Sequence, residues 1–358
     1  MSQMHFCGYF NRTYSELEGT WSTYRILAIM DVLIHFISLL WHILVMYLHV
    51  CTPEYHRNLR IIFYVYGSTF FGYCIARIVQ GGMLLMAYNG EDVQYETTML
   101  FLATSHARIF CGALALCSLL GVVVERGCAT YFLADYEHKK RLYIPIIIIE
   151  VLLLNAIFST VTYHSFSNTV PHGIAYLLCN LFAVAGNTVN NRLNRKYYSN
   201  TSRTSTTIGR YTLAERYQIS ENICTSKALR DTFYLVPFFN ALCLAAIFID
   251  NFDVGIAAKN LSSVCLNFAA LIYALLVPLV LLLHKKNLRR ECEKLLKGVG
   301  LHNLSNAYRK SHRLKSTLGV EIIIDKLELS TAHFTMLRND WEGQGRENQS
   351  TTTTSIIR

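Results

Sequence analysis

Apolar residues along this chain are gathered into seven long blocks, and each block is separated from the next by a stretch rich in polar residues. Each block is long enough to cross, as an α-helix, a hydrocarbon layer about 30 Å thick. A soluble core would scatter its apolar residues along the chain. The pattern therefore predicts an all-α membrane protein, a seven-transmembrane helix bundle. We place the spans at about residues 26–50, 61–88, 99–124, 142–163, 171–191, 233–249 and 261–283.

Composition supports a membrane location, and the distribution of charge predicts an orientation. The chain is 52% hydrophobic and 16% charged, whereas soluble domains are about 25% charged. Cytoplasmic loops keep positive charge and translocated loops lack it. Residues 1–25 and every second loop after them hold 3 Lys and Arg residues, whereas the other loops and the C-terminal segment hold 28. We therefore expect an extracellular N-terminus and a cytosolic C-terminus, with the lipid bilayer rather than nucleic acid as partner.

Two arginines lie inside predicted spans, where an ionisable group costs a few kcal/mol and normally faces the bundle interior. Arg77 and Arg108, on the second and third spans, reach similar depths of about 16 and 14 Å below the outer ends at 1.5 Å per residue. A guanidinium suits a carboxylate, so they predict a pocket for a small external ligand, such as an anion, with His106 and Asp31 as further pocket candidates. The alternative is that Asp31 and Glu150 neutralise the two arginines internally.

Three histidines, His35, His42 and His49, recur every seven residues on one stripe of the first span. Seven residues rise about 10.5 Å along a helix, whereas zinc lies about 2.1 Å from each histidine nitrogen. One ion therefore cannot bind two of them, and we expect a polar seam between helices. No phosphate-binding glycine loop, zinc-protease helix or closely spaced histidine box occurs in the sequence. The sequence predicts no catalytic residue, no metal site, no cofactor and no enzymatic activity.

Other positions suggest hinges and modification. Pro237 and Pro278 lie inside the sixth and seventh spans, where proline bends a helix; they are hinge candidates, although ordinary kinks are an equal alternative. Asn11, followed by Arg and Thr, is a glycosylation acceptor on the predicted outer side.

The inner end of the third span carries an acid beside an arginine, Glu125 and Arg126. One interpretation is that Arg126 only follows the positive-inside bias. The other is a two-state switch, in which Arg126 is held by Glu125 or another helix at rest and is released on activation to meet a partner. Residues 211–223 of the third inner loop are compatible with a helix that extends the sixth span into the cytosol. Its Glu215, Arg216, Glu221 and Asn222 are candidate coupling residues.

Two of these segments carry a family resemblance: Glu-Arg followed by Ala-Thr-Tyr-Phe at 125–132, and Leu-Ala-Glu-Arg-Tyr-Gln-Ile-Ser-Glu-Asn at 213–222. They resemble nematode serpentine chemoreceptors of class epsilon, the Sre family, over about residues 20–298. The resemblance implies a chemosensory G-protein-coupled receptor that binds an external small molecule and activates a heterotrimeric G protein. It implies a multi-pass protein of the plasma membrane, in a sensory neuron cilium, and favours the switch. The alternatives are a seven-helix ligand-gated channel, a transporter, or an accessory membrane protein.

The C-terminal region departs from the resemblance. Residues 285–298 fit a basic amphipathic juxtamembrane helix on the anionic inner leaflet. Cys292 within it is a candidate for palmitoylation. We expect residues 299–358 to form a mostly disordered cytosolic tail without a counterpart in the family.

Overall fold

Ten α-helices occur in the part of the chain that the computed structural model describes, which is residues 8–52, 55–86, 98–133, 136, 141–165, 168–203, 213–249, 251–284 and 286–298. The described residues contain no strand. The helices are α1 (Arg12–Leu17), α2 (Trp21–Cys51), α3 (Arg57–Met86), α4 (Met99–Tyr131), α5 (Tyr143–Ser165), α6 (Val170–Arg203), α7 (Leu213–Leu229), α8 (Thr232–Ile249), α9 (Ile256–His284) and α10 (Lys286–Gly298).

Seven of these helices, α2, α3, α4, α5, α6, α8 and α9, are long and apolar enough to cross a membrane. Large apolar side chains such as Leu154 and Phe182 remain exposed on the bundle surface, as expected where lipid replaces water. The predicted fold class, a seven-transmembrane helix bundle, is confirmed, and the chain is a multi-pass membrane protein.

Helix α4 occupies the centre of the bundle, because it packs against α3, α5, α6, α7 and α8. Small residues allow this close packing. A Cβ atom built on Gly121 would lie 2.5 Å from the Tyr66 hydroxyl and 3.0 Å from Leu152 Cδ1. A shift of α4 would therefore change its packing against several neighbouring helices.

The inner ends of three helices differ from the predicted spans. Helix α4 continues to Tyr131 and α6 to Arg203. Part of the reason is that polar residues of both helices, including Thr130 and Asn194, are buried where α4, α6 and α7 pack together. The segment expected to extend the sixth span is a separate helix, α7, which ends before a turn at Arg230 and Asp231. The Arg230 side chain donates a hydrogen bond to the side chain of Asp231 there. The backbone carbonyl of Asp231 accepts a hydrogen bond from the Leu235 amide, at the beginning of α8.

Helix α10 packs against α2 and α9. Leu288 is buried beside Leu48 and Leu282, and Cys292 lies half-buried at the edge of this cluster. The predicted tail, residues 299–358, lies outside the described residues.

Candidate functional site

The arginine of α3 has an internal counter-ion. Arg77 Nη2 donates to the carboxylate of Asp31 on α2, and both residues are buried. His35 Nδ1 lies 3.2 Å from the same carboxylate. For Arg77, the structure therefore favours internal neutralisation over ligand binding.

The arginine of α4 has different surroundings. Arg108 donates to Gln80 Oε1 at 2.6 Å and to Asn267 Oδ1 at 2.8 Å. Its guanidinium carbon lies 5.6 Å from the centroid of the Tyr73 ring. Glu150, proposed from sequence as a counter-ion, is instead exposed on the outer surface of α5. Sequence places a residue at a depth, but it does not decide which side of a uniformly apolar helix faces inward.

Arg108 lines a cavity of about 100 Å³ between α3, α4, α5, α6, α8 and α9. Arg108 carries the permanent charge among the residues that line the cavity. The other three pocket candidates predicted from the sequence, Asp31, Arg77 and His106, do not line it. The wall is mainly apolar and aromatic, as in most small-molecule sites. It includes Phe70, Tyr73, Ile109, Leu244, Leu266 and Tyr273.

His106 pairs with another histidine instead of facing the cavity. Its ring stacks on that of His164 of α5, with 3.8 Å between centroids and 2° between planes. Each Nδ1 lies within hydrogen-bonding distance of a carbonyl four residues earlier in its own helix. His164 Nε2 lies 3.2 Å from Ser105 Oγ.

The histidine stripe of α2 forms the expected polar seam. Each of His35, His42 and His49 is buried, and each Nδ1 contacts the carbonyl four residues earlier. The rings pack against aromatic residues, as in the 4.8 Å stack of His42 on Phe70 of α3. No group of three or more potential metal ligands occurs among the described residues.

A buried polar network surrounds Glu125 and Arg126 at the other end of α4. Arg126 Nε and Nη2 donate to the two carboxylate oxygens of Glu125 at 2.6 and 2.7 Å. The Tyr136 hydroxyl donates to Glu125 Oε1 at 2.6 Å, and Asn58 Nδ2 of α3 donates to that hydroxyl at 2.9 Å. Burial and the neighbouring Glu125 carboxylate raise the pKa of Tyr136, which keeps the hydroxyl protonated as a donor.

The same network reaches α6 and α7. Arg126 Nη1 donates to Asn222 Oδ1 of α7 at 3.3 Å. Asn222 Nδ2 in turn donates to Asn194 Oδ1 of α6 at 3.3 Å. Thr130 donates to Asn190 Oδ1 of α6 at 2.6 Å. The network around Glu125 and Arg126 therefore joins four segments of the chain to α4: α3, the segment at Tyr136, α6 and α7.

The remaining sequence candidates lie as follows. Asn222 is buried in the network, and Glu215 and Glu221 are half-buried on α7, whereas the side chain of Arg216 lies outside the description. Pro237 and Pro278 lie inside the helices α8 and α9. Asn11 is the N-cap of α1, where its side chain accepts from the Tyr14 amide at 2.9 Å.

Sequence reasoning missed the uncharged members of both sites, Gln80, Asn267, Asn58, Asn194 and Tyr136. It weighed only ionisable groups at membrane depth. A buried amide in a span also requires a partner, so Gln80 and Asn267, which lie inside predicted spans, carried a usable signal, whereas Asn58 and Asn194 lie beyond the span ends. Tyr136 has no such signal, because it is brought to Glu125 by the chain after α4.

Comparison with known proteins identifies the family. The model of the Sre G protein-coupled chemoreceptor family matches residues 4–342. Serpentine receptor class epsilon-13 of Caenorhabditis elegans is 28% identical over 354 residues, which cover 95% of this chain and 97% of that relative. Serpentine receptor class epsilon-8 of the same organism is 26% identical over 328 residues, which cover 90% and 92% of the two chains. Both matches extend past residue 298, so the expectation that the tail has no family counterpart is wrong up to residue 342. The chain belongs to the Sre family of serpentine chemoreceptors.

Proposed function

We propose that this protein is a chemosensory receptor that binds a small acidic molecule beside Arg108 and activates a heterotrimeric G protein. One observation carries the proposal: a single central helix, α4, bears Arg108 in an apolar cavity and Arg126 in the network at its other end. Arg126 lies 18 residues after Arg108, which corresponds to a rise of about 27 Å at 1.5 Å per residue. Membership of a chemoreceptor family supports the same assignment.

The expected mechanism is a change in helix packing. A ligand shifts an equilibrium only by its differential affinity for the two states. We infer that a ligand in the Arg108 cavity favours a state in which α7 and α8 move outward, with bending at Pro237 and Pro278. That movement would break the Arg126–Asn222 hydrogen bond and expose Arg126, together with Glu215, Arg216 and Glu221, to the G protein.

Nucleotide exchange tests the proposal. The protein would be held in lipid nanodiscs with a G protein, and exchange would be measured across small acidic and neutral metabolites. We expect an acid to stimulate exchange, Arg108→Gln to abolish the response, and Arg77→Gln, whose guanidinium is paired with Asp31, to retain part of it. Arg126→Ala should abolish exchange while acid binding persists. Ion current, or binding without exchange, would favour the channel or accessory alternative.

Placement in the cell is part of the proposal. We place the N-terminus outside, with a glycan on Asn11, and the C-terminus in the cytosol, with a palmitoyl group on Cys292, at the half-buried edge of the α10 contact. Family membership supports a sensory neuron cilium. Imaging of a tagged protein in the animal tests that location.

A further inference from the structure

We infer that the ligand is a monocarboxylic acid with an apolar chain, which places its carboxylate on Arg108 and its chain in a groove between α5 and α6 that faces the bilayer. The inference rests on the proposed function and defines its ligand class and pose. It follows from the size of the cavity, from what covers its outer end, and from the groove beside it.

The cavity alone is too small for such a ligand. It holds about 100 Å³, which is less than the cavity of about 150 Å³ that is known to bind one benzene molecule. Only the carboxylate end and a few carbons of an acid therefore fit beside Arg108. A longer chain must continue into adjoining space.

The N-terminal segment, residues 8–17, covers the outer side of Arg108. A Cβ atom on Gly8 would lie 3.3 Å from Arg108 Nη2 and 3.2 Å from Leu266 Cδ2. Gly8 has φ +64°, a conformation that favours glycine, so the chain can pass this close without a side chain. The segment therefore lies directly against the guanidinium.

Hydrogen bonds hold this segment to α9. Ser263 Oγ donates to the carbonyl of Gly8 at 2.6 Å. Asn260 Nδ2 donates to the carbonyl of Asn11 at 2.9 Å, and the Asn11 amide donates back to Asn260 Oδ1 at 2.7 Å. Moving the segment aside would break these bonds, so an apolar chain has no low-cost path toward the outer end here.

A second space adjoins the cavity on its α5–α6 side. It is a groove of about 550 Å³, lined by Phe158, Pro171, Ala175 and other residues of α4, α5 and α6. Three residues, Ser159, His172 and Tyr176, line both the cavity and the groove. These three side chains therefore separate the two spaces, and we expect the ligand chain to pass where they rotate aside, which includes breaking the 2.7 Å contact between His172 Nε2 and Thr162 Oγ1.

The chemistry of the joined space fits one ligand class. Arg108 offers a fixed positive charge that suits a carboxylate, and Phe158, Pro171 and Ala175 offer apolar contact to a hydrocarbon chain. The ligand binds as its carboxylate, which is the form that the fixed positive charge of Arg108 stabilises.

A chain-length series on paired variants tests the inference. Affinities of butanoic, hexanoic and decanoic acids would be measured on nanodisc-held protein, with binding to empty nanodiscs subtracted. Each buried methylene should tighten binding by about fourfold. Ala175→Trp fills the groove and should remove most of this gain while leaving butanoic acid affinity unchanged. Ala241→Trp, at an exposed alanine of α8 outside the groove, is the matched control and should keep the gain.

The outcomes separate this inference from the proposed function. Arg108→Gln should weaken all three acids by a similar factor, and an unchanged affinity there would refute the acid site itself. If Arg108→Gln weakens binding but Ala175→Trp keeps the full chain-length gain, the carboxylate site stands and the groove assignment is wrong. Failure of the wild-type protein to bind any of the three acids would overturn the ligand class. Retained butanoic acid binding by Ala175→Trp shows that the variant is folded.

Discussion

Tyr136 lies outside the described helices and is hydrogen-bonded into the network around Glu125 and Arg126. Its hydroxyl is a direct donor to Glu125 Oε1 and an acceptor from Asn58. Glu125 is fully buried, so each donor to its carboxylate replaces water that cannot reach it. Losing one donor leaves part of a buried charge without compensation, which is costly.

Tyr136→Phe should therefore raise basal G-protein activation. A hydrogen bond to a charged group contributes about 1.5–3 kcal/mol, so the resting packing would lose roughly tenfold or more in population. Ligand-free nucleotide exchange measures this change. Tyr131→Phe, at a tyrosine that is 82% exposed at the end of α4, is the control and should behave like the wild type. Equal basal exchange in all three proteins would mean that Tyr136 does not hold the resting state.

His56 adds a pH dependence to the same end of the bundle. It accepts a hydrogen bond at Nδ1 from the backbone N–H of Asn58 at 3.3 Å, and the centroid of its ring lies 4.6 Å from that of the Tyr136 ring. Burial lowers the pKa of His56 below its ordinary value of 6.5; the nearby Glu125 opposes this shift, and Arg126 and Arg60 add to it. The folded state therefore prefers neutral His56. Its contribution to stability is present above pH 6.5 and is lost as the pH falls through the lower folded-state pKa.

Acidification from about pH 7.5 to about 5.5 should thus lower the unfolding temperature of the wild type more than that of His56→Phe, which keeps a ring beside Tyr136 but cannot titrate. Thermal unfolding in nanodiscs at both pH values measures the difference. The same pH sensitivity in both proteins would exclude His56 as its source.

Sequence predicted the charged centre of each site and its acidic neighbours, Asp31 and Glu125, but not most of the uncharged partners. The depth of Arg77 follows from counting residues, and so does the presence of Asp31 as a possible counter-ion. Glu150 fails because α5 is apolar on every side, so that no periodicity indicates which side is buried. The amide partners Gln80 and Asn267 come from two other helices, and their approach to Arg108 is a product of bundle packing.

At the scale of helices, the position of α4 depends on close contact at Gly121. A methyl group there would lie 2.5 Å from the Tyr66 hydroxyl, which already donates to the Ser118 carbonyl at 2.6 Å, and 3.2 Å from Ile148 Cγ2. Tyr66 cannot move away without losing a buried hydrogen bond. Contacts with α3 and α5 therefore meet at this glycine.

Gly121→Ala should lower stability by about 1–3 kcal/mol through overpacking. Gly112→Ala, on the same helix, is the matched control, because a methyl group there meets nothing within 4 Å. It should be neutral or stabilising, since alanine favours a helix over glycine by about 1 kcal/mol. The difference between their unfolding temperatures measures the contact. Equal effects would show that α4 has room to shift at Gly121.

Apolar blocks predict helices well but mark their inner ends poorly. The predicted spans stop where polar residues begin, at 124 and 191, yet α4 and α6 continue to Tyr131 and Arg203. Some polar residues there, such as Thr130 and Asn194, are buried against other helices, whereas Arg195 is exposed. Likewise, the helical pattern of residues 211–223 is correct, but the turn at Arg230 and Asp231 that separates α7 from α8 depends on hydrogen bonds that the pattern does not reveal.

For the whole molecule, the charge difference between alternate loops predicts the topology. The number of spans follows from the length of the apolar blocks alone. The orientation rests on the loops, because those on the predicted outer side hold 3 Lys and Arg residues and those on the predicted inner side, with the C-terminal segment, hold 28. Glycosylation gives an independent test, because the acceptor at Asn11 lies on the predicted outer side, whereas the acceptors at Asn200, Asn303 and Asn348 lie on the predicted inner side. The other outer acceptor sequence begins at Asn260, whose side chain is buried.

Removal of the outer acceptor must leave the fold intact. Asn11 caps α1 through its side-chain oxygen, which accepts from the Tyr14 amide, so replacing Asn11 itself would cost about 1 kcal/mol of capping. A glycan on the amide nitrogen leaves that oxygen in place. Thr13 is exposed, and Thr13→Ala therefore removes the acceptor sequence without touching the cap.

With the N-terminus outside, the protein from animal cells should lose mass on treatment with an endoglycosidase, and Thr13→Ala should show no such loss. Ser202→Ala, Ser305→Ala and Ser350→Ala, which remove the acceptors at Asn200, Asn303 and Asn348, should behave like the wild type. The charge distribution requires this result, because moving 28 cationic side chains across a membrane would work against the positive-inside preference at every loop. A glycan that persists in Thr13→Ala and disappears in Ser305→Ala would invert the topology, and it would place Arg126 on the outer face, away from any G protein.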